Sequence, residues 1–356
     1  MSKSRTPQVI ISVVVLTMVA ITGGLLSMLS SPYEITRVRN SLIAEIGQPG
    51  DFIWRPSDPP EGFLLEEVPA PLEFQQIAQQ AFHERSVLSN WDKALAIGRH
   101  LAEGPGIGGG GIQSNTLDTY RTILTEKRGY CADYTQVFNG IALAAGVPVR
   151  EWGMSFDGFS GYGHAFNEIY DDRLDKWIFI DSFYSFYVKD SHTGIPLSGL
   201  EFRERLRSSD IRTSAVVTPI EPDRFPFANP ELAIDYYSRG ADQFYLWFGN
   251  NVFSYDDSVV VKTLGPWSRA LEQAAAILGG IHPPIRILAS ESNEELINSL
   301  FMTRNMIISG VFALFGLATV LIFMLQANRR YQTSAQSRGP VSAGNDRKTR
   351  DHAQDE

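Results

Sequence analysis

Two stretches free of charge and of proline constrain this chain more than anything else in it. Residues 9–29, VIISVVVLTMVAITGGLLSML, and 306–325, MIISGVFALFGLATVLIFML, are apolar for 21 and 20 positions. At about 1.5 Å per helical residue each matches the thickness of a bilayer core, about 30 Å. Both read as transmembrane helices. The first is longer than the apolar core of a signal peptide, about 7–15 residues, and the LSSPY after it offers no small-x-small cleavage site, so it reads as an uncleaved anchor. Two spans leave both tails on one side. Lys3 and Arg5 before the first span, and Arg329, Arg330 and Arg338 after the second, outweigh Arg37 and Arg39 on the other side and mark the tails as cytoplasmic. The long middle segment then faces outward, into the periplasm if the host is a bacterium with two membranes.

What lies between is long enough for a large core, at 44% hydrophobic residues overall. A formal charge of −9 and the lack of any basic stretch speak against nucleic acid, whose phosphates require cationic patches. The single cysteine, Cys131, cannot form an intramolecular disulfide, so a stapled scaffold is excluded.

The chain therefore divides into a cytoplasmic N-terminus (1–8), a span (9–29), a proline-rich segment (30–72), a folded domain (73–190), an extension (191–303), a second span (306–325) and a tail (326–356). Prolines at 49, 56, 59, 60, 69 and 71 make 30–72 a stalk of edge strand and extended linker, with room for a small lid. Residues 73–102 predict one or two helices. GPGIGGGG at 104–111 lacks the GK[ST] ending of a phosphate loop and reads as a flexible loop. The tail is polar and almost free of large apolar residues, so it reads as disordered.

The chemistry concentrates around RGYCADYTQVFNGIALAAGVPVR, residues 128–150. A helix over 114–129, with Ser114 or Asn115 as N-cap and Gly129 as terminator, delivers the chain to Cys131. Beyond it Tyr134, Val137, Phe138, Ile141, Ala142 and Ala145 form one helical stripe that Gly146 and Pro148 end. Cys131 thus falls in the first turn of a buried helix. Free N–H groups and the macrodipole favour thiolate at such positions generally, although cysteine is also an ordinary buried small residue. Downstream, VPVREWGMSF, GHAFNEIY and KWIFIDS read as three strands, giving a helix followed by an antiparallel sheet. If Asp171–Leu174 form the turn, Tyr170 faces Asp175 and the register pairs His164 with Asp181 on one face of the sheet. A thiol at a helix start, an imidazole and a carboxylate are the attacker, proton acceptor and orienting group of nucleophilic acyl transfer. The Cys131 N–H is a natural oxyanion donor.

These residues resemble the transglutaminase-like superfamily of papain-type cysteine enzymes, over about 114–184. Gly129, Cys131, Gly146, Pro148, Arg150, His164, Ala165, Glu168, Trp177 and Asp181 meet the pattern of a glycine before the cysteine, a G-x-P-x-R turn, H-A-W-x-E and W-x-x-x-D. Phe166 stands where the family has tryptophan. The resemblance implies an α+β, papain-like fold, here set between two transmembrane helices, with Cys131, His164 and Asp181 as catalytic triad. It does not fix a substrate, since the family includes crosslinkers, peptidases, amidases and silent domains.

His83, His100, His192 and His282 show no ligand spacing, and no HExxH, GxSxG or Walker motif occurs, so neither metal nor cofactor is expected. The aromatic clusters SFYSFY and QFYLWFGNNVFSYDD in the extension read first as β-rich core and second as a groove lining. WSRALEQAAAILGG predicts a short helix, and ASESNEELINSLFMTRN a helix running into the second span. The expected function is an outward-facing membrane thiol enzyme acting on a peptide, protein or cell-envelope acyl substrate. The competing expectation is a silent papain-like scaffold that holds a partner at the membrane.

Overall fold

The computed structural model describes residues 6–82, 89–103, 108–112 and 114–337. His83 and half of the glycine loop, expected in a helix and a loop, lie outside these. The chain divides into two compact units. One contains the apolar helix α1 (Thr6–Ser27) and the chain from Met306 onward. In it Leu25 packs against Gly310, where a side chain would crowd the leucine methyls. Both apolar runs are helices long enough to cross a membrane.

The second unit, Met28–Asn305, opens with α2 (Pro32–Ile43), β1 (Ala44–Ile46) and α3 (Pro49–Phe52). Residues 30–72 thus depart from the stalk expectation. Pro32 and Pro49 each occupy the first helical turn, where a missing N–H costs nothing. Phe52 and Phe63 are buried in the core. The one strand in this segment, β1, forms one edge of the main sheet.

Four helices follow: α4 (Leu72–Ala81), α5 (Asn90–Ala102), α6 (Thr116–Glu126) and α7 (Cys131–Ala144). Ser89 and Asp92 form a capping box at α5, and Asn115 caps α6 by accepting from Asp118 N. Lys127, left-handed at φ 54°, ends α6 two residues before the expected Gly129. Three strands then come in the expected order: β2 (Val149–Ser155), β3 (Gly163–Asp171) and β4 (Lys176–Ile180).

The rest is β5 (Phe186–Asp190), α8 (Gly199–Leu206), α9 (Ile211–Ser214), β6 (Ala215–Pro219), α10 (Pro230–Ser238) and β7 (Phe244–Trp247). Then come α11 (Val252–Asp257), α12 (Val259–Leu264), α13 (Arg269–Leu278), β8 (Ile285–Ile287) and α14 (Glu294–Ser337). As expected, α13 is short and α14 continues unbroken into the second apolar run.

The main sheet has the order β1-β8-β7-β2-β3-β4, antiparallel except for β1 with β8. Residues 244–287 therefore extend the sheet. On one face Val149, Ile169, Ile178 and Ile180 pack against α4 to α7; on the other Trp152, Phe166, Phe179 and Phe244 pack against α8, α10 and the β5–β6 pair. Covering both faces is why β4 reads KWIFI without alternation.

The β3–β4 register differs from the expected one. The turn is residues 172–175, so Asp171 faces Lys176 and Tyr170 faces Trp177. Asp175 takes a left-handed φ of 51°, which places the turn one residue later on each strand. The shift amounts to two residues of pairing. Because side chains alternate with period two, it leaves His164 and Asp181 on the same face, as diagonal rather than direct neighbours.

Candidate active site

Helix α7 begins at Cys131 because the chain before it is pinned. Asp133 in the first turn accepts from Tyr130 N at 2.8 Å and Ile112 N at 3.1 Å, and Gly129 N bonds Gly108 O at 3.3 Å. Gly129 has φ +145°, and Gly111 lies where a Cβ would strike the Tyr130 ring, so glycines let the two segments lie side by side. Among the described residues the N–H groups of Cys131 and Ala132 have no acceptor. They are the free donors that a helix start leaves over. At the other end, Gly146 at φ +69° follows the last turn and Lys93 Nζ caps Ala145 O at 2.9 Å.

His164 is the second residue of β3. Its Nε2 bonds Asp181 Oδ2 at 2.8 Å, and the imidazole is electrostatically coupled to Cys131. Asp181 lies just past β4 and is fully buried. Oδ1 accepts from Phe183 N at 2.9 Å and Tyr184 N at 2.8 Å, while Oδ2 also accepts from Tyr237 OH at 2.5 Å. Every lone-pair direction of the carboxylate is thus used, and its position is fixed. Burial alone would push His164 down; the Asp181 carboxylate, then Cys131, more than offset it and raise it to about 10. Burial, followed by Asp181, holds the Tyr237 hydroxyl well above the ordinary phenol range.

A buried amide ties the cysteine helix to the carboxylate. Asn167 Nδ2 donates to Thr135 O at 3.0 Å and Asn139 Oδ1 at 2.8 Å, both on α7, and Asn167 Oδ1 accepts from Ser182 Oγ at 2.8 Å, next to Asp181. Tyr184 covers the imidazole in a parallel stack, 4.6 Å between centroids at 9°, and Tyr236 and Tyr237 meet it edge-on. The His164 side chain is 1% exposed, whereas Cys131 is half-exposed.

Three further residues of the sequence pattern, Arg150, Glu168 and Trp177, form a separate buried knot. Glu168 accepts from Arg150 Nε at 2.6 Å, Trp152 Nε1 at 2.5 Å and Gly199 N at 2.5 Å. The Arg150 guanidinium lies 4.2 Å from the Trp177 ring centroid and bonds Phe52 O at 2.9 Å. Arg150, Glu168 and Trp177 therefore join the strands to each other and to α3 and α8, and none of them touches Cys131.

The structure brings the three expected site residues together and adds Tyr237, Tyr184 and Asn167, which sequence reasoning missed. Tyr184 belongs to the SFYSFY cluster, otherwise core: Phe186 is buried, and Phe244 and Leu246 of the second cluster are strand residues. Tyr237 sits in LAIDYYS, whose pattern signals only a helix. His100 bonds the Tyr120 hydroxyl at 2.9 Å and His282 bonds Pro283 O at 2.9 Å; His192 is exposed.

Helices on a largely antiparallel sheet, with a thiol at a helix start coupled to an imidazole that bonds a buried carboxylate, make a mixed α+β domain. Residues 78–182 match the family model of the transglutaminase-like superfamily, so the chain carries a transglutaminase-like domain from the end of α4 to one residue past Asp181. A solved structure reported as "a Putative Cysteine Protease from Cytophaga hutchinsonii" is 22% identical, with 41% of this chain and 46% of that chain covered and a TM-score of 0.24. No curated protein matches.

Proposed function

We infer that this protein is a membrane-anchored thiol enzyme that forms an acyl-enzyme at Cys131. The observation that supports the reading is the buried hydrogen bond of His164 to Asp181, with Cys131 coupled electrostatically to the same imidazole. In this reading the sulfur attacks the carbonyl carbon of a peptide amide-like bond, and the carbonyl electron pair moves to oxygen. The free N–H of Cys131 receives that oxyanion, with the adjacent Ala132 N–H as second donor. When the intermediate collapses, the C–N bond breaks and the His164 proton passes to the leaving amine, leaving a thioester. Water, or an amine in a transferase, then attacks the thioester, gives its proton to His164 and releases Cys131. Hydrolysis is the preferred outcome because water is always present and no described feature selects an amine. Asp181 fixes the imidazole tautomer and stabilises its charge. The acyl donor is a peptide, protein or cell-envelope component. In this reading the two apolar helices span the membrane, and the excess of basic residues in the tails supports an orientation with this unit outside the cytoplasm.

The test is to incubate the full chain with peptide p-nitroanilides, quench with acid and measure intact mass. An acyl adduct on Cys131 that disappears in His164→Ala supports the reading. One observation favours the silent scaffold instead: the imidazole is sealed beneath Tyr184. No adduct, together with alkylation of Cys131 that is unchanged in His164→Ala, would establish that alternative.

A further inference from the structure

Helix α7 carries a row of side chains that continues past the site. Cys131, Thr135 and Asn139 recur at i, i+4 and i+8, so they stand one above another on one face of the helix. Thr135 Oγ1 donates to Cys131 O at 2.8 Å, and Thr135 O accepts from Asn167. Asn139, 3% exposed, accepts from Asn167 through Oδ1 and donates through Nδ2 to Glu151 Oε2 at 3.2 Å. Glu151 lies on β2 directly opposite Asn167 of β3. Hydrogen bonds therefore run without a break from Ser182, next to Asp181, through Asn167 and Asn139 to Glu151.

The direction of each bond in this chain is set from its ends. A carboxamide has a donor side and an acceptor side, and Asn167 must turn its donors to the Thr135 carbonyl, which can only accept. Asn139 then presents its oxygen to Asn167 and has its own N–H groups left over, in an interior where an unmatched amide is destabilising. Glu151 is the acceptor that takes them. With Asn139 turned over, its donors would meet the donors of Asn167. A carboxyl group is held here against its own preference: partial burial pushes Glu151 up to about 8, opposed by Arg39 and by the Asn139 hydrogen bond. Among the described residues its one hydrogen bond is that from Asn139, and it belongs to neither the Asp181 cluster nor the Arg150 knot.

We propose that Glu151 is a positioning residue of the thiol site: by fixing Asn139, and through it Asn167, it holds the start of α7 in register with the segment of Asp181 and Ser182. It touches no reacting atom. Its loss unseats Asn167 without removing a charge or a nucleophile from the site, so it changes how well Cys131 meets His164. The inference rests on the proposed thiol chemistry.

The test is iodoacetamide alkylation of Cys131 in the full chain, read by mass across the pH range, beside thermal denaturation in detergent. The parent is compared with Glu151→Gln, Glu151→Met, the double variant Glu151→Met with Asn139→Leu, and His164→Ala. Glu151→Gln keeps an oxygen acceptor and should retain the parent profile within a factor of about three. Glu151→Met strands the Asn139 amide, so stability should fall, and alkylation at neutral pH should drop about tenfold and rejoin the parent in alkali. The double variant replaces both partners with apolar groups of similar size, which should restore stability; its alkylation should stay about tenfold low, because Asn167 still lacks its partner. Alkylation that recovers together with stability would leave Glu151 a purely structural role and overturn the proposal. A Glu151→Gln protein as slow as the double variant would overturn it too, by assigning the effect to charge. Should Glu151→Met fail to fold, the double variant and Glu151→Gln still decide. If His164→Ala leaves the parent profile unchanged, the thiol reading falls and the proposal with it. If His164→Ala shifts the profile while the double variant matches the parent, the proposal alone falls.

Discussion

Replacing Asp181 with asparagine keeps the shape of the site and removes its charge, and the structure sets the scale of the effect. His164 is raised from about 6.5 to about 10 against the pull of burial, by Asp181 first and Cys131 second. That difference corresponds to about 5 kcal/mol of preference for the imidazolium, at about 1.4 kcal/mol per tenfold. Asp181 is the larger of the two groups that oppose burial. Asp181→Asn should therefore cost the thiolate–imidazolium pair about 2–3 kcal/mol, a factor of about 30 to 150 in its population. The assay is the rate of iodoacetamide alkylation of Cys131 in the full chain between pH 5 and pH 11, read by mass, since only the thiolate reacts. The variant should react more slowly than the parent by that factor at neutral pH and approach it in alkali. The sign for stability is fixed too. A group raised on folding stabilises fully below its unfolded value, about 6.5, and loses that contribution as pH rises through about 10. Parent stability should fall across this upper window, and the fall should be smaller in Asp181→Asn. Matching alkylation profiles in the two proteins, within a factor of three, would refute the assigned role of Asp181.

Tyr237→Phe removes one charge-assisted hydrogen bond from the Asp181 carboxylate, worth about 1.5–3 kcal/mol, so acyl-enzyme formation should slow about 10- to 100-fold, with the alkylation profile displaced toward that of Asp181→Asn. Phe166→Trp adds volume where the ring is already enclosed by Trp152, Phe179, Tyr237 and Phe244; thermal denaturation in detergent should show a loss of about 1–3 kcal/mol rather than the gain a family consensus suggests. Glu168→Gln leaves the buried Arg150 cation without its counter-charge and should destabilise by about 3–5 kcal/mol. Any Glu168→Gln protein that does fold should keep the parent alkylation profile.

Local patterns carried most of the site. The stripe from Tyr134 to Ala145 put Cys131 at a helix start, and period-two alternation put His164 and Asp181 on one face even with the pairing off by two residues. Parity survived because an even shift cannot move a side chain across the sheet. What stayed hidden depends on long-range contact. Tyr237 reaches Asp181 from 56 residues away, and nothing in LAIDYYS distinguishes a hydroxyl pointing at a carboxylate from one pointing at water. The prolines of 30–72 read as an extended stalk because first-turn prolines and linker prolines look alike until the helix is seen. The pairing of β7 with β2, and of β8 with β7, stayed hidden for the same reason: a strand's neighbours are set by contacts distant in sequence.

The knot of Arg150, Glu168 and Trp177 is separate from the row of Cys131, His164 and Asp181, with its own hydrogen bonds and its own burial. Shape and reactivity in this domain are thus inherited independently. One base change at codon 131 could silence the chemistry while every joint of the scaffold stayed in place, and such a descendant would keep nearly the whole pattern by which this domain is recognised. In the proposed reading, a binding module arises from such an enzyme in a single step, with its scaffold already built.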